Sequence, residues 1–391
     1  MSRITCNLCG DEVHSIQLHL SKNHPDCTIK QYRETFPDAP ILSDEARKKI
    51  LAVQQAKERN KVAIREGVVS GVLHEVFQLD ESNNGVRNAR GEPIQISIFV
   101  GENDLDLVPG VDEQYVYDAD LLKTVLMGLE ANIPTYLWGH AGVGKSTIIE
   151  QICARTKRRM LRIQHTENTE ESHIVGQTLA NEKGTFFEPG PLPLAMRYGW
   201  TYLADEYDFA HPSILGVYQP VLEGKSLVIK EAPPEWRVTK PHADFRFVAT
   251  GNTNGSGDET GLYQGTKLGN AANYSRFGIT TKVDYMSREL EISVVANQSG
   301  IDDDDAEQLV DFARLIREAY DGGKMSATIG PRELIFAAKT GQMRADFRMG
   351  VMFAFINRLS IVDREAALGF LQRTVEAQVE AHVEAPVETS R

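Results

Sequence analysis

Apolar and polar positions along the chain follow two periods. Short buried-looking runs at 135–138 (TYLW), 200–204 (WTYLA) and 245–250 (FRFVAT) each pass straight into glycine-rich or acidic residues. A helical pattern with Ile148, Ile149 and Ile152 follows the first of them. Strands that alternate with helices in this way predict an α/β fold with a parallel sheet. After a last strand at 278–285 the spacing changes. Segments 287–297, 303–320, 331–342 and 347–359 place apolar residues at helical intervals, as in Leu309, Phe312, Leu315 and Ile316. Upstream, VLHEVFQL and PIQISIFV around NNGVRNARGE predict a β-hairpin, and 41–67 reads as a charged helix capped by Ser43 or Asp44. The end of the chain repeats every four residues, with Val375, Val379 and Val383 on one stripe, which predicts a helix extension broken by Pro386.

Composition narrows the function classes. With 391 residues, 41% hydrophobic and 25% charged, the chain can bury several cores. No apolar run reaches the roughly 18 residues of a membrane helix, and MSRITCNLCG lacks the apolar core of a secretory signal. Four cysteines, two of them as Cys6-x-x-Cys9, suit a reducing compartment, so the cytoplasm is expected. The net charge of −13 offers no overall attraction to nucleic acid or anionic lipid. Its distribution is uneven: residues 1–66 hold 11 Lys/Arg against 9 Asp/Glu, and the acidic excess lies beyond them.

The strongest chemistry is at 139–146, where Gly139, Gly144, Lys145 and Ser146 satisfy G-x-x-x-x-G-K-[ST] between a strand and a helix. Such a loop converges backbone N–H groups on phosphate oxygens at a helix N-terminus. Gly139, His140, Ala141, Gly142, Val143, Gly144, Lys145, Ser146 and Thr147 are therefore expected to bind ATP, with Lys145 at the β/γ-phosphates and Ser146 on Mg²⁺. Further on, an apolar strand runs into Asp205 and Glu206. Acidic residues at the carboxyl end of a parallel strand face the ligand crevice. Asp205 is expected to hold Mg²⁺ through water and Glu206 to polarise the attacking water. If strands 135–138, 200–204 and 245–250 are neighbours, Asn252 emerges beside that acidic pair and can sense the γ-phosphate through its amide, with Asn254 a weaker candidate.

These motifs, followed by NYSRFGIT (273–280) and IGPRELI (329–335), resemble the AAA+ ATPases of the MoxR branch, and within it the CobS type, the ATPase subunit of aerobic cobaltochelatase. The resemblance runs from about Tyr115 to Phe370 and includes HIVGQ, DEYD, VATGNT and GDETGLYQGT. It implies a P-loop αβα core with a parallel sheet, followed by a small helical lid. It also implies that Arg276 is an arginine finger acting on ATP in the next subunit, that Arg332 is the lid arginine termed sensor 2, and that the chain forms a homo-oligomeric, hexameric ring. Segments 173–196 and 224–245 match hairpin insertions of this branch and are candidate client contacts.

The N-terminus reads as a separate module. Cys6-x2-Cys9-x9-His19-x4-His24 offers four zinc ligands, with both histidines on a helical stretch. It resembles a Ros/MucR-type zinc finger, and His14 is a spare ligand. The expected organisation is a finger at 1–40, a charged helical linker at 41–71, a β-hairpin at 72–114, the ATPase core at 115–286, the lid at 287–374 and a tail at 375–391. ATP, Mg²⁺ and Zn²⁺ are the expected cofactors. A Mg²⁺-dependent ring ATPase that remodels a client or adaptor protein is the leading expectation. The alternatives are a cobalt- or magnesium-chelatase motor, whose partner would carry an integrin-type metal-binding domain, and a DNA-associated motor addressed by the finger. The finger departs from the CobS pattern, and its acidic residues Asp11, Glu12 and Asp26 weigh against DNA.

Overall fold

The computed structural model describes residues 4–25, 27–37, 39–43, 67–80, 86–101, 106–182, 184–258 and 261–383. It divides into two compact units, 1–66 and 67–391. Most of the predicted linker helix (44–66), Glu259 and Thr260 of the GDETGLYQGT stretch, and the tail beyond Val383 lie outside the described residues.

In the first unit, strands Ile4–Thr5 and Glu12–Val13 pair antiparallel, and helices Ile16–Asn23 and Ile29–Thr35 follow. Ser15 caps the first helix, and Thr28 with Gln31 forms a capping box on the second. The buried core is small: Cys6, Ile16, Leu20 and Tyr32.

The second unit opens with strand Val68–Val72 paired antiparallel to Gln95–Phe99. The expected hairpin is present in a shifted form. Leu73–Phe77 is a short helix rather than a strand, and it buries Leu73 and Phe77. Helix α1 (Ala119–Ala131) is capped by Asp118, which accepts from the backbone N–H groups of Asp120 and Leu121. Strands β1 (Thr135–Trp138), β2 (Met160–Gln164), β3 (Thr201–Asp205), β4 (Arg246–Gly251) and β5 (Ile279–Lys282) form one parallel sheet ordered β5-β1-β4-β3-β2. Val248 lies opposite both Thr135 and Leu203, so β4 sits between the strands that lead to the glycine loop and to the acidic pair. On one face α1 and α2 (Lys145–Arg155) pack Leu122, Leu126, Ile148 and Ile152 against Leu137, Leu203 and Val248. The other face, covered by α3 (Pro191–Tyr198) and the 3-10 turns near Tyr218, buries Leu192, Met196 and a group of tyrosines. The result is a three-layer αβα core.

Two hairpins stand off this core, matching the expected insertions. One pairs Gly176–Asn181 with Gly184–Pro189. The other pairs Leu227–Val228 with Val238–Thr239 across a helical turn, Pro234–Arg237. Beyond β5, helices α4 (Arg288–Ser299), α5 (Asp303–Asp321), α6 (Pro331–Arg344), α7 (Phe347–Ala354) and α8 (Ile361–Val383) form the helical part around their own core of Leu309, Phe312, Ile316 and Phe355. Three aspartates in the first turn of α5 complement its dipole. The predicted segment 347–359 ends as a helix at Ala354 and continues as a 3-10 turn. Among the described residues no helix is long and apolar enough to cross a membrane.

Candidate functional site

The glycine loop connects β1 to α2. Gly139 takes φ 151°, and a Cβ there would lie 2.2 Å from the Val283 carbonyl oxygen, so no other residue fits without moving β5's end. Gly144 is left-handed at φ 92° and begins α2 without any side-chain cap, leaving the first backbone N–H groups of the helix for an anion. Lys145 is buried, and its Nζ donates to the carbonyls of Gly139 (2.8 Å) and His140 (2.9 Å) and to Asn252 Oδ1 (3.1 Å). Burial pushes its pKa down to about 8, opposed by Glu206, Asp208 and Asp205.

The acidic pair ends β3. Asp205 Oδ1 accepts from Ser146 Oγ at 2.6 Å and from the Thr250 hydroxyl, while Oδ2 accepts from Arg162 Nε at 2.8 Å and from its Nη2. Burial alone would raise this carboxyl; the two hydroxyls and the guanidinium outweigh it and hold the group below its ordinary value. Ser146 and Asp205 together present hard oxygen donors of the kind Mg²⁺ takes. Glu206 sits at φ 53°, a strained conformation for a residue with a Cβ, as the chain leaves the sheet. Its carboxyl is raised, chiefly by burial, against the pull of Lys145.

Asn252 joins the two halves. Its Oδ1 faces Lys145 and its Nδ2 donates to Glu206 Oε2 at 2.6 Å. The sheet order thus brings Lys145, Ser146, Asp205, Glu206 and Asn252 into one cluster, while Asn254, among the described residues, hydrogen-bonds within its own loop, to Ser256.

Arg332 lies at the start of α6 against the glycine loop; a Cβ on Gly142 would be 3.2 Å from Arg332 Cβ. It borders a cavity of about 260 Å³ with Tyr115, Val143, Gly144, Met286 and Phe336. A neighbouring cavity of about 300 Å³ shares Tyr115, Val143, Gly144 and Met286. Small-molecule sites run to roughly 300–1,000 Å³. Arg276, in contrast, makes no polar contact with the glycine loop of its own chain. Its Nε and Nη2 meet Glu223 Oε1 at 2.8 and 2.7 Å, and Nη1 donates to the Ala272 carbonyl.

Several residues of the cluster were not anticipated. Arg162 reaches Asp205 from β2, and its Nη1 also meets Glu150 at 2.7 Å. Asp208, three residues after Asp205, holds the loop that carries Asn252. The Tyr263 hydroxyl meets His140 Nδ1 at 2.9 Å and accepts from Ala141 N–H at 3.1 Å, so Tyr263 lies against the glycine loop. On the other side of that loop His140 stacks on Tyr285 (centroids 5.5 Å, 8° between planes). Tyr285 in turn lies under Arg317 at 3.8 Å, which is bidentate to Glu291 at 2.6 and 2.7 Å. DEYD and the aromatic at 263 were visible motifs, but their contacts depend on the fold.

In the first unit one ligand atom from each of Cys6, Cys9, His19 and His24 lies within 4.8 Å of the other three. Cys9 Sγ is 3.1 Å from His19 Nε2, and His24 Nε2 is buried without a hydrogen-bond partner. The Asn23 amide, 3.1 Å from His19 Nδ1, orients that ring. His14 stands apart, bonded to Ser43 at 2.9 Å. Two thiol and two imidazole donors in a closed group fit a tetrahedral zinc.

Comparison with known proteins agrees with this geometry. Residues 134–276 match the AAA domain of the dynein-related subfamily, and residues 291–378 match the CbbQ/NirQ/NorQ C-terminal domain. The chain is similar to the aerobic cobaltochelatase subunit CobS of Sinorhizobium sp, at 29% identity over 78% of this chain and 94% of that protein. It is also similar to Protein CbbQ of Hydrogenophilus thermoluteolus, at 28% identity over 52% of this chain and 73% of that protein. Among solved structures, the RuvB Holliday junction branch migration motor of Thermotoga maritima aligns with TM-score 0.39 and 13% identity, covering 68% of this chain and 72% of that one. The fold is the AAA+ P-loop fold, and the chain is an ATP-hydrolysing enzyme.

Proposed function

We propose that this AAA+ ATPase works as a ring whose turnover remodels or activates a partner protein. One observation carries the reading: Arg276 makes its polar contacts at Glu223 and Ala272, away from the phosphate-binding residues of its own chain. A finger in that position serves a neighbouring subunit. Within one subunit, Lys145 and the N-terminus of α2 bind the phosphates, and Glu206 orients and polarises the attacking water. Asn252 reports the γ-phosphate to both. Ser146 and Asp205 would hold Mg²⁺, which neutralises phosphate charge when bound. Arg276 from the neighbour stabilises the charge that develops in transfer, and Arg332 ties the nucleotide to the helical lid.

The two hairpins suit a client contact. They flank a groove of about 580 Å³ and leave Phe186, Val228 and Val238 exposed. Zinc held by Cys6, Cys9, His19 and His24 would replace a core that four buried residues cannot supply. Residues 1–43 carry 4 Lys/Arg against 5 Asp/Glu, a balance that favours a protein over DNA as the finger's ligand. A second reading, the motor of a metal chelatase, draws on the similarity to CobS over nearly the whole of that protein.

The test is affinity capture of Glu206→Gln with ATP present, followed by mass spectrometry. This variant is expected to bind ATP, to hydrolyse it slowly and to retain a client. Recovery of a protein with an integrin-type metal-binding domain would replace remodelling by chelation. Nucleic acid lost on replacing Cys6 and Cys9 would replace both by a DNA motor.

A further inference from the structure

The loop that carries Asn252 has no regular structure of its own, yet its amide stands between Lys145 Nζ at 3.1 Å and Glu206 Oε2 at 2.6 Å. Asp208 is 1% exposed and follows the strained Glu206 by two residues. Its Oδ2 accepts three hydrogen bonds, all from that loop: Asn252 N–H at 2.9 Å, Thr253 N–H at 2.8 Å and Thr253 Oγ1 at 2.9 Å. The Tyr136 hydroxyl donates to the Thr253 carbonyl at 2.6 Å, so the loop is held by Tyr136 as well as by Asp208, whose own carbonyl accepts Lys267 N–H at 2.8 Å. There is no slack: a Cβ on Gly251 would lie 2.0 Å from the Tyr136 hydroxyl and 2.9 Å from Asp208 Oδ1.

We propose that Asp208 is a positioning residue for ATP hydrolysis: its buried carboxylate fixes the backbone of residues 252 and 253 and thereby aims the Asn252 amide at Lys145 and Glu206. In this role Asp208 acts through Asn252, so it is a positioning residue and not a catalytic one. A buried carboxylate that accepts two backbone N–H groups and a hydroxyl is a stiff support, because each donor would otherwise be left unsatisfied. The inference rests on the reading of Asn252 as the γ-phosphate sensor.

The full-length protein and the Asp208→Ala, Asp208→Asn, Asn252→Ala and Asp208→Ala/Asn252→Ala variants would be compared for kcat, KM and the affinities of ATP and ADP, with thermal melts to confirm folding. Asp208→Ala is expected to lower kcat by roughly hundredfold, the cost of a catalytic group displaced by about an ångström, with KM little changed and the preference for ATP over ADP reduced. Asp208→Asn, which keeps an acceptor oxygen and the shape, recovers much of the loss. In the Asn252→Ala background Asp208→Ala costs nothing further, since the group it aims is gone. Equal cost of Asp208→Ala with and without the Asn252 amide overturns the positioning role alone. Wild-type turnover in Asn252→Ala overturns the sensor reading and this inference with it.

Discussion

Arg317 shows what a single buried charge demands. Its guanidinium is held by both oxygens of Glu291, donates Nε to the Ile329 carbonyl at 3.0 Å and covers the Tyr285 ring. The side chains are 9% and 1% exposed. Removing one partner strands the other in a dry setting, so Arg317→Met is expected to destabilise the C-terminal helical part by about 3–5 kcal/mol, read by chemical denaturation. Arg317→Met with Glu291→Leu should recover most of that, because an apolar pair needs no compensation. At this scale the sequence was uneven as a guide. Lys145 and Ser146 were legible because the loop that binds phosphate is contiguous. Asn252 was legible only on the assumption that its strand lies between two others, which the register of β4 satisfies. Arg162 was invisible: it sits on an edge strand opposite Leu203, and nothing in its own neighbourhood points to Asp205. Asp208 carries no signal of its own within DEYD, because its partners Asn252 and Thr253 reach it only through the return of β4.

Among the elements, Leu73–Phe77 explains a misreading by pattern. Leu73, Val76 and Phe77 stand at i, i+3 and i+4, the helical spacing, and the strand reading of so short a run followed its apolar content rather than its period. The strand that pairs with Gln95–Phe99 instead uses Val68–Val72, whose β-branched residues suit a pleated surface. The helices of the C-terminal part were readable because 3.6-residue periodicity persists over many turns in α5 and α6. The zinc-ligand element makes its own prediction. The purified full chain is expected to contain stoichiometric zinc, and a strong chelator should unfold residues 4–43, seen as loss of hydrogen-exchange protection there, while protection in β1 to β5 and ATP hydrolysis persist. Cys6→Ser should reproduce the chelator's effect.

In the proposed ring each site draws on positions that meet within a chain and on one, Arg276, supplied by the neighbouring chain. Arg276→Ala is expected to bind ATP normally and to abolish turnover. Mixing it with Glu206→Gln, which keeps its arginine but lacks the polarising carboxylate, should restore part of the activity, because a site can then combine Glu206 from one subunit with Arg276 from the other. Steady-state turnover of the mixture against either variant alone measures this, and no gain on mixing would place the arginine in its own chain's site.

The pairing of Arg276 with Glu223 bears on how such a molecule behaves when dilute. A guanidinium already satisfied by a carboxylate of its own subunit carries little unbalanced charge to attract stray anions. If Arg276 serves a neighbour as proposed, docking would exchange that carboxylate for a phosphate, an exchange favourable only where the neighbour's nucleotide supplies the stronger anion. In the proposed ring Glu223 would therefore set a threshold: subunits loaded with ATP would recruit the arginine, subunits holding ADP would leave it with its own carboxylate, and the association constant itself would become a readout of nucleotide state.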